Sequence, residues 1–118
     1  MDIDPLLSRM ASFPSALDAL LLDVSSDDAR WRPRHGGWSI LEIVSHLVEE
    51  EFRDFRTRLA LTLDDPTMAW PPIDPEGWAR LRGYNDGDLM ERLDAFTVER
   101  EASLRWLRSL ESPDWRRA

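Results

Sequence analysis

Residues 39–63 read as one long amphipathic helix, and a helix of that length dictates what else the chain must build. Ser39 and Glu42 form an S-x-x-E capping box, in which each side chain answers a free backbone N–H of the first turn. Trp38 precedes the cap and is spaced to pack on Ile43 as a hydrophobic staple. Leu41, Val44, Val48, Phe52, Phe55, Leu59 and Leu63 then keep one face apolar for about seven turns. The reverse face offers Glu49–Arg53 and Asp54–Arg58 pairs at i, i+4, and Pro66 closes the run. Such a stripe cannot be buried by its own helix, so the remaining residues must supply partners.

Two other segments have the same period. Leu17, Leu20, Leu21 and Val24 follow Leu6, Leu7, Met10 and Phe13, with Pro14 either kinking one helix or opening a second behind Ser12. The run Ser25–Asp28 is expected to end that segment. A third helix opens near Asp86–Asp88 and runs to about Leu110, with Leu89, Leu93, Phe96, Leu104 and Leu107 on its buried face. No stretch alternates with period two, so the fold class is all-α.

The connector 64–85 carries Pro66, Pro71, Pro72 and Pro75 together with Trp70, Trp78 and Tyr84, which marks it as packed chain. It is long enough to run back along a bundle and leave helices two and three parallel, with a short helical turn near Glu76–Leu81. Three long helices bury their stripes most easily with a fourth. Either three helices close on themselves, or another chain supplies the missing face, or the sequence ends inside a domain; the expectation is a single domain, 1–118, incomplete at its C-terminal end.

Composition removes several chemistries. With no cysteine there are no disulfides, thiolate ligands or cysteine nucleophiles. All 15 basic residues are arginine, which excludes a lysine Schiff base. A net charge of −8 is the wrong sign for a nucleic-acid partner. No apolar run approaches the roughly 20 residues that cross a bilayer, and MDIDPLLSRM lacks a signal pattern. The chain is expected to be cytoplasmic, with no membrane partner.

His46 precedes Glu49 and Glu50 by three and four residues, so an imidazole and a carboxylate can share one face and reach one ion. The competing reading makes His46 a polar residue at the edge of the core. Arg100 falls on the buried face of the third helix and needs a carboxylate, with Glu49, Glu50 and Glu51 as candidates, unless its head snorkels to water. Arg32, Arg34 and His35 could meet an anion in their loop, although solvated charge explains them as well. The six tryptophans are spaced for packing between layers. Glu99 and Glu101 are read as solvent-facing.

The ordered set ArgTrpArgPro (30–33), GlyGlyTrpSer (36–39), IleLeuGluIleValSerHisLeu (40–47) and Glu51 resembles the opening of DinB-like (DinB/YfiT-type) proteins. Trp78, Tyr84, Arg100 and SerLeuGluSerProAspTrp (109–115) come next in family order. The resemblance implies an up-down-down-up four-helix bundle, often a homodimer, related to metal-dependent thiol S-transferases and hydrolases acting on small molecules. It also implies a divalent metal, zinc or nickel, held by one histidine on helix two and by an H-x-x-x-H pair on helix four. His46 stands at the first ligand position, with Glu50 a weaker candidate. Trp38, Ser39, Glu42 and Arg100 are structural, and no H-x-x-x-H occurs in these residues. The alternative function is a non-catalytic helical module that self-associates through its open face.

Overall fold

The computed structural model describes residues 1–118 and contains helices and turns but no strand. Helix α1 (Asp4–Leu20) turns Leu7 and Pro14 inward, with Leu21 buried just past its end. Pro14 lies inside this helix and does not begin a second one. Lacking an N–H, it leaves the Met10 carbonyl without its intrahelical donor. Arg100 fills that vacancy from across the bundle, its Nη1 donating at 2.9 Å. The helix stops before Val24, and Ser25 begins new structure. Its hydroxyl accepts from the Asp28 N–H at 3.1 Å and caps the short helix α2 (Ser26–Arg30).

Both arms of the expected capping box are made, each at 3.1 Å, and they start α3 (Ile40–Glu49). Arg32 grips the same Glu42 carboxylate with Nε at 2.7 Å and Nη2 at 3.1 Å. That bond, above all, holds the Glu42 carboxyl below the usual range. Asn85 accepts from the Ser39 hydroxyl at 2.5 Å and donates to the Arg30 carbonyl at 3.1 Å, tying the loop before α3 to the end of the connector.

The rod 40–64 is not one uniform α-helix. After α3 comes a π-helical segment, Glu50–Arg56, and then α4 (Thr57–Asp64). The wider turn rotates the C-terminal half of the rod, so Phe55 and Leu59 are only half-buried and α4 has no fully buried residue. The apolar stripe expected to run straight from Leu41 to Leu63 therefore bends around the rod.

In the connector, Asp74 caps α5 (Pro75–Leu81) by accepting from the Gly77 N–H at 3.1 Å. Gly83 then takes a left-handed turn at φ 57°. Asp88 caps α6 (Leu89–Ser109), its carboxylate accepting from the Glu91 N–H at 2.9 Å. Past α6, Arg117 donates to the Leu63 and Asp64 carbonyls at 2.9 and 3.0 Å.

Two apolar clusters give the chain directions. At one end Leu21 meets Leu41, Val44, Leu89 and Leu93; at the other Leu7 meets Leu104 and Leu107, with Phe55 and Leu59 against them. The rod and α6 are thus parallel, α1 is antiparallel to both, and the order is up-down-down. Helix α6 packs on α1 and on the rod, which scarcely touch each other. The radius of gyration, 16.1 Å, exceeds the roughly 13–14 Å of a compact domain of this length. The molecule is elongated, with principal extents of 46 × 30 × 21 Å. Leu6, Phe13 and Leu20, seven residues apart on α1, are 51%, 41% and 76% exposed. No helix is long and apolar enough to cross a membrane.

Candidate functional site

His46 projects from α3 on the open side of the rod. Its ring lies edge-on to Trp38, with centroids 4.8 Å apart, so the residue before the cap meets the histidine, while Ile43 stays 46% exposed. Nε2 stands 3.7 Å from a Glu50 oxygen, and Nδ1 is buried without a partner. Burial lowers the His46 pKa, with the Asp54 charge opposing it. Burial also pushes the Glu50 carboxyl up to about 7, reinforced by the hydrogen bond and charge of Asp54 and opposed by Arg58. Asp54 is paired with Arg58 Nε at 2.7 Å. His46, Glu50, Asp54 and Arg58 thus form a ladder at four-residue steps.

The three consecutive glutamates go three ways. Glu49 turns to the connector and is held by Arg53 of the rod and by Arg82 of the connector, the latter at 2.7 Å. Burial and the Glu49 charge push the nearby Tyr84 hydroxyl up to about 12. Glu50 faces His46. Glu51, 5% exposed, enters the core and takes Arg100 Nε at 2.8 Å and Nη2 at 3.2 Å. The carboxylate near His46 is therefore Glu50 and not Glu49, and the partner of Arg100 is Glu51. Glu99 is not merely solvent-facing, because it pairs with Arg56, whereas Glu101 is exposed. The anion trio is not assembled: Arg32 is taken by Glu42, and Arg34 and His35 are exposed.

Asp54 and Trp70 belong to the site although the sequence does not single them out. The i+4 step from Glu50 to Asp54 is visible there, but the pairing of Asp54 with Arg58 makes it look like ordinary solvated charge. Trp70, 53% exposed, departs from the packing role expected of the tryptophans; its indole N–H donates to Thr62 Oγ1 at 3.0 Å, and the Arg58 guanidinium lies 4.8 Å from its ring. Asp54, Phe55, Arg58, Leu59 and Trp70 line an open cavity of about 380 Å³ below the ladder.

The donor set can be tested against a metal. An imidazole and a carboxyl are adjacent, but no group of three or more His, Asp or Glu side chains comes together. Zinc takes three or four protein ligands in structural and catalytic sites. One imidazole and one carboxyl fall short of that number.

The ladder has a pH signature. Folding raises Glu50 from 4.5 to about 7, so its stabilising contribution is complete below 4.5 and is lost as pH rises through about 7. His46 works oppositely, because its lowered value costs stability as pH falls below 6.5. Glu50→Gln is expected to gain thermal stability over the native chain as pH rises from 5 to 8. After solvent screening the gain at pH 8 is on the order of 1 kcal/mol. A melting difference that does not change with pH would contradict the elevated Glu50 value.

Known proteins share both the sequence pattern and the helix arrangement. Residues 10–118 match the family model of the DinB superfamily. A protein of Geobacillus thermodenitrificans named "Putative metal-dependent hydrolase" is 28% identical over 80 residues, covering 67% of this chain and 44% of its own length. "Putative metal-dependent hydrolase YfiT" of Bacillus subtilis is 31% identical over 55 residues, 47% of this chain and 30% of its own. The solved structure of Bacillus subtilis YfiT, described as having "an unusual four-helix bundle topology", superposes with a TM-score of 0.80 at 22% identity. That match covers 92% of this chain and 62% of the YfiT chain. The chain therefore spans less than half the length of the curated relatives it matches. With most of its residues inside the family model and its helices in the same topology, the chain belongs to the DinB superfamily.

Proposed function

We propose that these residues form the His46-bearing part of a metal-dependent hydrolase or transferase bundle. In this reading His46 is one donor to a divalent ion, zinc or nickel, and Glu50 is a weaker second. The observation that carries it is the His46 ring on the open side of the rod, one nitrogen facing Glu50 and the other buried without a partner. The names of the curated relatives support the metal-dependent class. The groove between α1 and the rod is where a fourth helix would bring the missing donors. Substrates in this reading are small molecules, and the protein works in the cytoplasm.

Nickel(II) titration followed by NMR tests the donor assignment even when binding is weak. Paramagnetic broadening is expected first at His46, Glu50 and Trp38, with the His35 ring affected later. It should vanish in His46→Ala and weaken in Glu50→Gln. Broadening that begins at His35, or leaves His46 sharp, would overturn the assignment.

A second reading is favoured by the exposed stripe Leu6, Phe13 and Leu20: a non-catalytic module that pairs with its own copy along the groove. It requires a dimer mass in solution that falls to a monomer in Phe13→Glu. A native chain that is monomeric at all concentrations rejects it.

A further inference from the structure

The π-helical segment has a feature that its sequence does not advertise. Its first turn carries Glu51 and its last residue is Arg56, and both pair with consecutive residues of α6. Glu51 takes Arg100, and Arg56 donates to Glu99. In an α-helix, residues five apart point about 140° away from each other. In a π-helix the backbone bonds join i to i+5, so such residues fall on nearly the same face. Only in the wide register do Glu51 and Arg56 both reach α6. The signs are crossed, acid then base on the rod against base then acid in reverse order on α6. Thr57 adds a bond of the same span, its hydroxyl donating to the Phe52 carbonyl at 2.8 Å.

We infer that the crossed pairs Glu51–Arg100 and Arg56–Glu99 hold the rod in its π register, and that this register builds the floor of the site. In this register Phe55 and Leu59 pack against Leu104 and Leu107 of α6 on one side and stay half-exposed on the other, beside Asp54. There they line the open cavity with Arg58 and Trp70. A straight α-helix that kept Glu51 on α6 would turn Arg56 off it and rotate Phe55, Arg58 and Leu59 relative to Trp70. Glu51, Arg56, Glu99 and Arg100 are therefore positioning residues, which act on the cavity through the register. The functional meaning of that cavity rests on the donor reading of His46 and Glu50, while the register itself does not.

Through-hydrogen-bond couplings between amide nitrogens and carbonyl carbons report each acceptor directly. In the native chain the amides of Phe55 and Arg56 are expected to couple to the carbonyls of Glu50 and Glu51, five residues back. Protons of the Arg58 side chain should be shifted upfield by the Trp70 ring, 4.8 Å from the guanidinium. Arg56→Glu places like charges together, and the acceptors are expected to move to four residues back, with loss of the Arg58 shift. The exchanged variant Arg56→Glu/Glu99→Arg should restore both. If Arg56→Glu does not fold, Arg56→Gln is read in its place and should populate the four-back acceptors in part. Unchanged acceptors in the folded single variant, or failure of the exchange to restore them, overturns the inference. Absence of nickel broadening at native His46 would instead remove the donor reading and leave the register result standing.

Discussion

Arg100→Met is expected to destabilise the chain by about 3–5 kcal/mol, because it leaves Glu51 buried and without its cation. The Arg100 and Glu51 side chains are 15% and 7% exposed, so water cannot take over the lost bonds without opening the core. Two further losses add to this. The Met10 carbonyl loses the donor that replaces the missing N–H of Pro14, and Phe13 and Phe96 lose a guanidinium lying 5.8 and 5.0 Å from their rings. Arg100→Lys keeps the charge but not the fork, and should fall between native and Arg100→Met. Removing both charges with Glu51→Leu/Arg100→Met should recover most of the loss. A residue of about 1 kcal/mol for the unsatisfied Met10 carbonyl is expected to remain. Denaturant unfolding measures all three variants. An Arg100→Met loss below about 1 kcal/mol would mean that the head reaches water after all. By contrast, Glu49 holds two arginines that are 41% and 38% exposed and can rehydrate, so its removal should cost far less.

The features legible in the sequence are those that depend on a few neighbouring residues. The capping box at Ser39 and Glu42 is closed by bonds that span three positions, and the caps at Asp88 and Asp74 are of the same kind. The parallel course of the rod and α6 is legible from the length of the connector alone. At the site, the spacing of His46 and Glu50 puts both on one face. The features hidden from the sequence depend on partners far along the chain. Pro14 is tolerated inside α1 because Arg100 completes the carbonyl of Met10, 90 positions before it. Patterning at 3.6 residues per turn presumes one register throughout, so it draws the stripe straight through Phe55 and Leu59. The three-way division of Glu49, Glu50 and Glu51 needs Arg82, Asp54 and Arg100 in place before each carboxylate has a destination.

Phe96→Ala is expected to cost about 3–5 kcal/mol, the range for emptying a buried aromatic site. For a domain whose whole stability is about 5–15 kcal/mol, that brings the chain close to unfolding at ambient temperature. The ring is 1% exposed and lies on α6 between Leu93, in one apolar cluster, and Leu104, in the other. It touches Phe13 edge-on with centroids 5.7 Å apart and supports the Arg100 guanidinium. Its loss should therefore separate two small cores, of six and three buried residues, that are each weak alone. Phe96→Leu keeps most of the volume and should cost about half as much or less. Because Phe96 and Arg100 touch, the double variant Phe96→Ala/Arg100→Met should be less destabilised than the two single losses added, by about 0.5–3 kcal/mol. Strict additivity would show that the ring serves packing alone and that Arg100 keeps its place without it.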